Sequence, residues 1–169
     1  MVNCKKLSTY YKVRPLSESD GLVVLALYKS NPYFFKHCPP QPTLSSVLND
    51  MRKLPPAISS EQKQFLGYFL EEKLVAVLDL VEGYPDSQTV FIGLFMLDGD
   101  YHGKGIGSQL FQEAIQVLTQ DFARLRLGYV ATNAIAEAFW RKQGFVPTGE
   151  VAKTDHYDII LADFLRDKG

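Results

Sequence analysis

The chain has 169 residues, 46% of them hydrophobic and 22% charged, with a formal net charge of −1. This is the profile of a globular protein with room for a sizeable core, and a single domain over residues 1–169 is expected. No basic block or basic helix face stands out, which argues against a nucleic-acid partner, and no apolar run approaches the roughly 18 residues of a membrane helix. Lys5 and Lys6 are not followed by the apolar core of a signal peptide. Cys4 and Cys38 form neither metal-ligand spacing nor a disulfide framework. A cytoplasmic location is therefore expected.

Tyr10 to Leu16 alternates Tyr11 and Val13 with Lys12 and Arg14 and predicts a short strand. Ser17 with Asp20 three residues on has the spacing of a capping box, and a helix should follow to about Ser30, where Asn31-Pro32 stops it. Asn31 to Pro42 holds four prolines together with Phe34 and Phe35, and reads as an irregular, aromatic-lined connection. Thr43 should cap a helix with Leu44, Val47, Leu48 and Met51 on one face, ended by Pro55-Pro56. Gln64 to Leu70, Leu74 to Val81 and Thr89 to Leu97 form a strand meander with polar turns between. The third strand is so evenly apolar that burial on both faces is expected. Leu110, Phe111, Ala114, Ile115 and Leu118 mark a helix face, Arg124 to Ala131 a strand, and Asn133 the start of a helix closed by Gly144. Phe145 to Pro147 and Tyr157 to Leu161 are the closing strands. The order predicts an α+β fold with a mixed sheet.

The segment Tyr101 to Ser108 carries alternating glycines, Gly103, Gly105 and Gly107, between a strand and a helix. Alternating glycines admit backbone conformations closed to other residues and let a ligand approach the main chain. The helix that follows directs unpaired N–H groups and a positive dipole end at one spot, which suits a phosphate. Lys104 adds a charge beside it. The spacing matches neither a Walker A loop nor a dinucleotide fingerprint, since Ser108 stands where the latter needs its third glycine.

Taken with the segment from Asn133 through the helix to Gly144-Phe145, this loop resembles the GNAT superfamily of acetyl-CoA-dependent N-acetyltransferases. The similarity covers roughly residues 65–161. It implies a mixed, mainly antiparallel central sheet flanked by helices and splayed at the acetyl-CoA strand. It further implies acetyl-CoA as co-substrate, with no metal, and a pyrophosphate held by the backbone of Gly103, Lys104, Gly105, Ile106, Gly107 and Ser108. Phe95, Met96 and Leu97 would pair with the pantetheine arm, splaying from the neighbouring strand at a bulge. The Leu97 N–H would stabilise the oxyanion. Asn133 would bind the pantetheine region, cap its helix, or do both.

Three positions depart from the family pattern. His102 replaces a Gln or Arg at the head of the loop, Trp140 stands where many members have a tyrosine acid, and Gly128 stands where some have a glutamate base. An indole N–H donates a hydrogen bond but supplies no proton near neutrality. A thiolate with pKa near ~8.5 leaves with little help, and an amine near ~8 is far easier to deprotonate than one near ~10.4. Asp79, interrupting the run Leu74 to Leu78, is the candidate base, with Glu82, Tyr84 and Tyr33 to Phe35 as an acceptor-pocket lining. The alternative for Asp79 is a solvated position where the strand twists out. His37-Cys38 and Asp155 to Asp158 read as loop and hairpin residues rather than a nucleophile pair or metal ligands.

The function expected is acetyl transfer from acetyl-CoA to a primary amine by direct attack. The acceptor would be a small molecule or a peptide, and the protein a monomer or homodimer with no nucleic-acid or membrane partner. The alternative is a non-catalytic acyl-CoA-binding module. A nucleotide-binding regulator fits less well, given the missing Walker spacing.

Overall fold

The computed structural model describes residues 1–167; residues 168 and 169, included in the expected domain, lie outside the described residues. After β1 (Lys12–Pro15), the Asp20 carboxylate accepts the Ser17 N–H at 2.8 Å and starts the turn into α1 (Gly21–Lys29). Thr43 caps α3 (Leu44–Arg52), its Oγ1 accepting the Ser46 N–H at 3.1 Å. Between them lies α2 (Pro32–His37), where an irregular connection was expected. Pro32 occupies its first turn, the position at which a missing N–H has no consequence, so the proline starts this helix as well as stopping α1. The meander is β2 (Lys63–Leu70), β3 (Lys73–Glu82) and β4 (Thr89–Leu97). Then come α4 (Ile106–Leu118), β5 (Arg124–Val130), α5 (Ala134–Gln143), β6 (Val146–Lys153) and β7 (Asp158–Leu165). Gly144 ends α5 in the left-handed region at φ 105°.

The fold is α+β. Seven strands form one sheet in the order β1-β2-β3-β4-β5-β7-β6, with every pairing antiparallel except β4–β5. The alternation of β2 and β3 sends residues to two apolar layers. Leu66, Tyr68, Leu78 and Leu80 pack with Leu110, Phe111 and Trp140 of α4 and α5. Phe65, Phe69 and Val77 pack with Val24, Leu27, Phe35 and Val47 of α1 to α3. Among the described residues no helix is long and apolar enough to cross a membrane.

β4 is buried on both faces only in its first half. Its parallel pairing with β5 runs from Thr89–Arg124 to Ile92–Leu127 and then stops. At that point the β3–β4 register shifts, so that Gly93 and Leu94 together face Asp79: a β-bulge, which bends the strand. Beyond it β4 follows β3 while β5 continues along β7 to Val130, and the sheet opens between them. Leu94, Phe95 and Leu97 are half-buried there although the sequence runs on apolar.

Candidate active site

The opening leads into a cavity of about 700 Å³ between β4, the start of α4 and α5. Gly103 and Gly105 have φ of 76° and 77°, and a Cβ on either would meet no atom within 4 Å. Backbone conformation rather than space therefore selects glycine at both. α4 begins at Gly105 with no side-chain cap. The N–H groups of Ile106, Gly107 and Ser108 thus lack intrahelical partners at the positive end of the dipole. At Gly107 a Cβ would lie 3.4 Å from Phe139, which lets α4 and α5 approach closely. Lys104 Nζ donates to Asp100 O at 3.2 Å, and Ser108 Oγ accepts from Gln143 Nε2 at 3.0 Å. What this loop presents is its main chain, which fits a phosphate or pyrophosphate. Asn133 caps α5, its Oδ1 accepting the Ala136 N–H at 2.9 Å, and is buried in the cavity wall.

The Asp98 N–H donates to Val75 O at 2.8 Å. In an antiparallel ladder, Leu94 and Met96 then direct their backbone groups toward β3, while Phe95 and Leu97 direct theirs toward the opening. The Leu97 carbonyl is already engaged: Asn31 Nδ2 donates to it at 3.0 Å, and His102 Nε2 lies 3.0 Å from the same oxygen. A carbonyl only accepts, so this contact is a hydrogen bond in the forms of His102 that carry a proton on Nε2. The departure at His102 thus joins the loop head to the strand end. Asn31 is buried and also donates to Leu27 O at 3.0 Å. Its local signature, an Asn before Pro, indicates only a helix stop.

On the other face of β4 lies a second cavity, of about 600 Å³. It meets the first at Phe34 and Met96, which line both. Asp79 is in its wall and is 9% exposed, not solvated. Lys63 Nζ lies 3.2 Å from Asp79 Oδ2 and donates to the carbonyls of Asp50 and Lys53 at 2.6 and 2.7 Å. The two carbonyls lie at the negative end of α3, which favours the ammonium there. Asp79 Oδ1 is buried and has no hydrogen-bond partner among the described residues. Burial pushes the Asp79 carboxyl up to about 6, against the lowering effect of Lys63. A Cβ at Gly93 would lie 2.6 Å from Asp79 Oδ2, so the bulge glycine makes room for the carboxylate.

Phe34, Phe35 and Tyr84 line this second cavity as expected, but two members of that expectation lie elsewhere. Tyr33 lines the first cavity, because two residues of α2, roughly 200° of rotation, separate it from Phe35. Glu82 instead accepts the Val2 N–H at 2.9 Å and Gln64 Nε2 at 3.1 Å. Lys63 was not singled out in the sequence, since a lysine opening a strand ordinarily reads as a solvated end.

Gly128 faces β7, where a Cβ would come 2.6 Å from Ile159 Cγ2, so no glutamate fits without moving that strand. Trp140 is packed edge-on against Phe111 and Phe139, with ring centroids 4.8 Å apart in each case. Cys38 Sγ donates to Tyr157 OH at 3.3 Å, and His37 Nδ1 lies 2.7 Å from Thr132 Oγ1, tying α2 across to the far side of the opening. Among the described residues no group of three or more His, Cys, Asp or Glu side chains is placed to hold a metal.

The model of the acetyltransferase (GNAT) family matches residues 26–145, which include the glycine loop, β4 and Asn133. The chain belongs to the GNAT family of acetyltransferases. Solved structures of similar fold agree. An acetyltransferase from Thermus thermophilus is 23% identical with a TM-score of 0.74, covering 92% of this chain and 97% of its own. An acetyl transferase from Salmonella typhimurium, which modifies an N-terminal serine of a 50S ribosomal subunit protein, is 18% identical with a TM-score of 0.73, covering 95% and 98%. An N-acetyltransferase from Thermoplasma acidophilum, solved in complex with coenzyme A, is 18% identical with a TM-score of 0.64, covering 91% and 99%. No curated protein matches the chain. As a GNAT member it is an acyltransferase of the class that moves groups other than aminoacyl groups.

Proposed function

We propose that the protein is a cytoplasmic N-acetyltransferase that moves acetyl from acetyl-CoA to a primary amine by direct attack. The observation that carries this reading is the pair of cavities meeting across the freed half of β4 at Phe34 and Met96. The α4 cavity would take the co-substrate, with the N–H groups from Gly103 to Ser108 at its pyrophosphate, and Phe95, Met96, Leu97 and Asn133 along its arm. The family's solved complex with coenzyme A supports this assignment. The other cavity would take the amine.

In this reading the amine lone pair attacks the thioester carbonyl, the N–C bond forms and the C–S bond breaks. The Leu97 N–H would stabilise the oxyanion. Asp79 would take one proton from the bound ammonium and so free its lone pair before attack, and the proton that the attacking nitrogen then sheds would pass through water to the leaving thiolate. A carboxyl held at about 6 is mostly ionised at neutral pH, and so is competent as a base. The replacement of both usual proton-handling positions, Gly128 and Trp140, favours a second reading as a CoA-binding module without turnover.

The test is transfer from isotope-labelled acetyl-CoA into separate pools of polyamines, small amines and amino acids, and peptides with free N-termini. Label in any pool supports the enzyme reading, and binding of acetyl-CoA with no label in any pool supports the module. Asp79→Asn should lower kcat/KM by about 10²-fold or more, and unchanged turnover would remove Asp79 from the mechanism.

A further inference from the structure

We infer that the acceptor is a monoamine with a compact apolar or aromatic body, its nitrogen held at Asp79 and its body in the aromatic-walled cavity beside it. This rests on the acetyl-transfer reading above and names the substrate class for that same site.

The polar argument starts from an unmet need. Lys63 Nζ donates to two backbone carbonyls and pairs with Asp79 Oδ2 at 3.2 Å, yet Asp79 Oδ1 has no donor among the described residues. The terminal torsion of an aspartate is nearly two-fold, so rotation exchanges the oxygens without removing the vacancy. A buried carboxylate oxygen without a donor is costly, and a charged N–H is the partner that relieves it most. The position is also suitable. Asp79 faces Leu94 in the ladder, two residues before Met96, where the two cavities meet. Two residues of strand span roughly 6–7 Å, so an amine that has given its proton to Asp79 reaches the junction as the neutral nucleophile in a short step.

The number of charges the cavity can bind follows from its wall. Its charged residues are Asp50, Asp79, Lys53 and Lys63, with no net charge among them. Asp50 already accepts from Tyr28 OH at 2.9 Å. A polyamine or aminoglycoside would bring further ammonium groups into a wall with no negative excess, which disfavours both.

The rest of the wall is mainly apolar and aromatic, with Ser46, Cys38 and the tyrosine hydroxyls as its polar groups. Tyr84 packs edge-on against Phe91 at 5.5 Å, Phe34 against Phe35 at 4.8 Å, and Leu94 and Met96 form the floor. A volume of about 600 Å³ lies within the range of small-ligand sites. An amine with no apolar body would leave that surface uncovered. A free arylalkylamine and the end of a peptide with an apolar first residue share the required chemistry.

The experiment measures thiol release from acetyl-CoA with four amines: phenethylamine, a peptide with N-terminal phenylalanine, methylamine and spermidine. Either aromatic amine should exceed both methylamine and spermidine in kcat/KM by at least about ten-fold, the scale of discrimination by an apolar pocket. The better of the two aromatic amines identifies the source, free amine or peptide end. Spermidine or methylamine equalling them would overturn the acceptor assignment and leave acetyl transfer standing. No release with any of the four would overturn the acceptor assignment, and only the absence of label from every pool above, while acetyl-CoA binds, would overturn transfer itself.

Tyr84→Ala supplies a second readout away from the buried ion pair. It should raise KM for the preferred aromatic amine by about ten-fold while calorimetric affinity for acetyl-CoA is retained. An unchanged KM in that variant would also overturn the assignment.

Discussion

Replacing Lys63 with Met removes a buried cation from three acceptors at once while keeping the stem of the side chain. Lys63 is 6% exposed, and its ammonium holds the carbonyls of Asp50 and Lys53 as well as the Asp79 carboxylate. Breaking one side of a buried ion pair costs about 3–5 kcal/mol, because the other charge stays behind. The loss should depend on pH. The Asp79 carboxyl is raised from its ordinary 3.8 to about 6, so the folded state binds more protons than the unfolded state between those values. Stability from this group is therefore greatest below about pH 4 and falls as pH rises to about 6. Lys63 is one of the groups that hold the carboxyl down, with Lys53, while Asp50 pushes it up; removing Lys63 extends the falling window to higher pH. Urea unfolding followed by circular dichroism should thus show a loss of about 3–5 kcal/mol near pH 8 that shrinks to about 1–3 kcal/mol near pH 5, where orphaned carbonyls account for what remains. Lys63→Met with Asp79→Leu should recover most of the loss at high pH, since an apolar pair in place of a buried ion pair is often neutral. An equal loss at both pH values, or one under about 1 kcal/mol near pH 8, would refute the reasoning.

Gly105→Val puts a β-branched side chain at φ 77° with open space around it, so the strain is in the backbone alone. It should cost about 1–2 kcal/mol in thermal unfolding and weaken CoA binding by about ten-fold or more by calorimetry. Asn133→Ala removes the cap on Ala136, and should cost about 1 kcal/mol and also reduce CoA affinity. Asn31→Ala leaves the Leu97 carbonyl with His102 as its remaining side-chain donor, and should destabilise by about 1–3 kcal/mol in denaturant unfolding.

The glycine loop, the cap at Asn133 and the apolar faces of α3 and α4 are legible in the sequence because each is local. Spacing within one or two turns of chain defines them. α2 is harder to see, since it is six residues long and offers too little periodicity to outweigh four nearby prolines. Lys63 and Asn31 are harder still. Each is defined by partners distant in sequence: Asp50, Lys53 and Asp79 for one, Leu97 for the other. Asp79 lies between these cases. Its place in an apolar strand shows that something must compensate the charge, but not that Lys63 does so or that Gly93 clears the room. The same limit explains Gly128, whose missing side chain is dictated by Ile159 on β7.

The alternation of β4 after its bulge separates two kinds of recognition on one strand. Phe95 and Leu97 turn their peptide groups to the opening, whereas Leu94 and Met96 turn theirs to β3 and their side chains to the second cavity. A peptide group is common to nearly all amino acids, so a substitution leaves it in place; a side chain changes with every substitution. Exchange of the residue at 94, which lines only the second cavity, would thus reshape the chamber on that face while the hydrogen-bonding edge across from α5 stays the same. Under the proposed assignment, acceptor preference in this chain could drift one residue at a time without renegotiating the grip on acetyl-CoA.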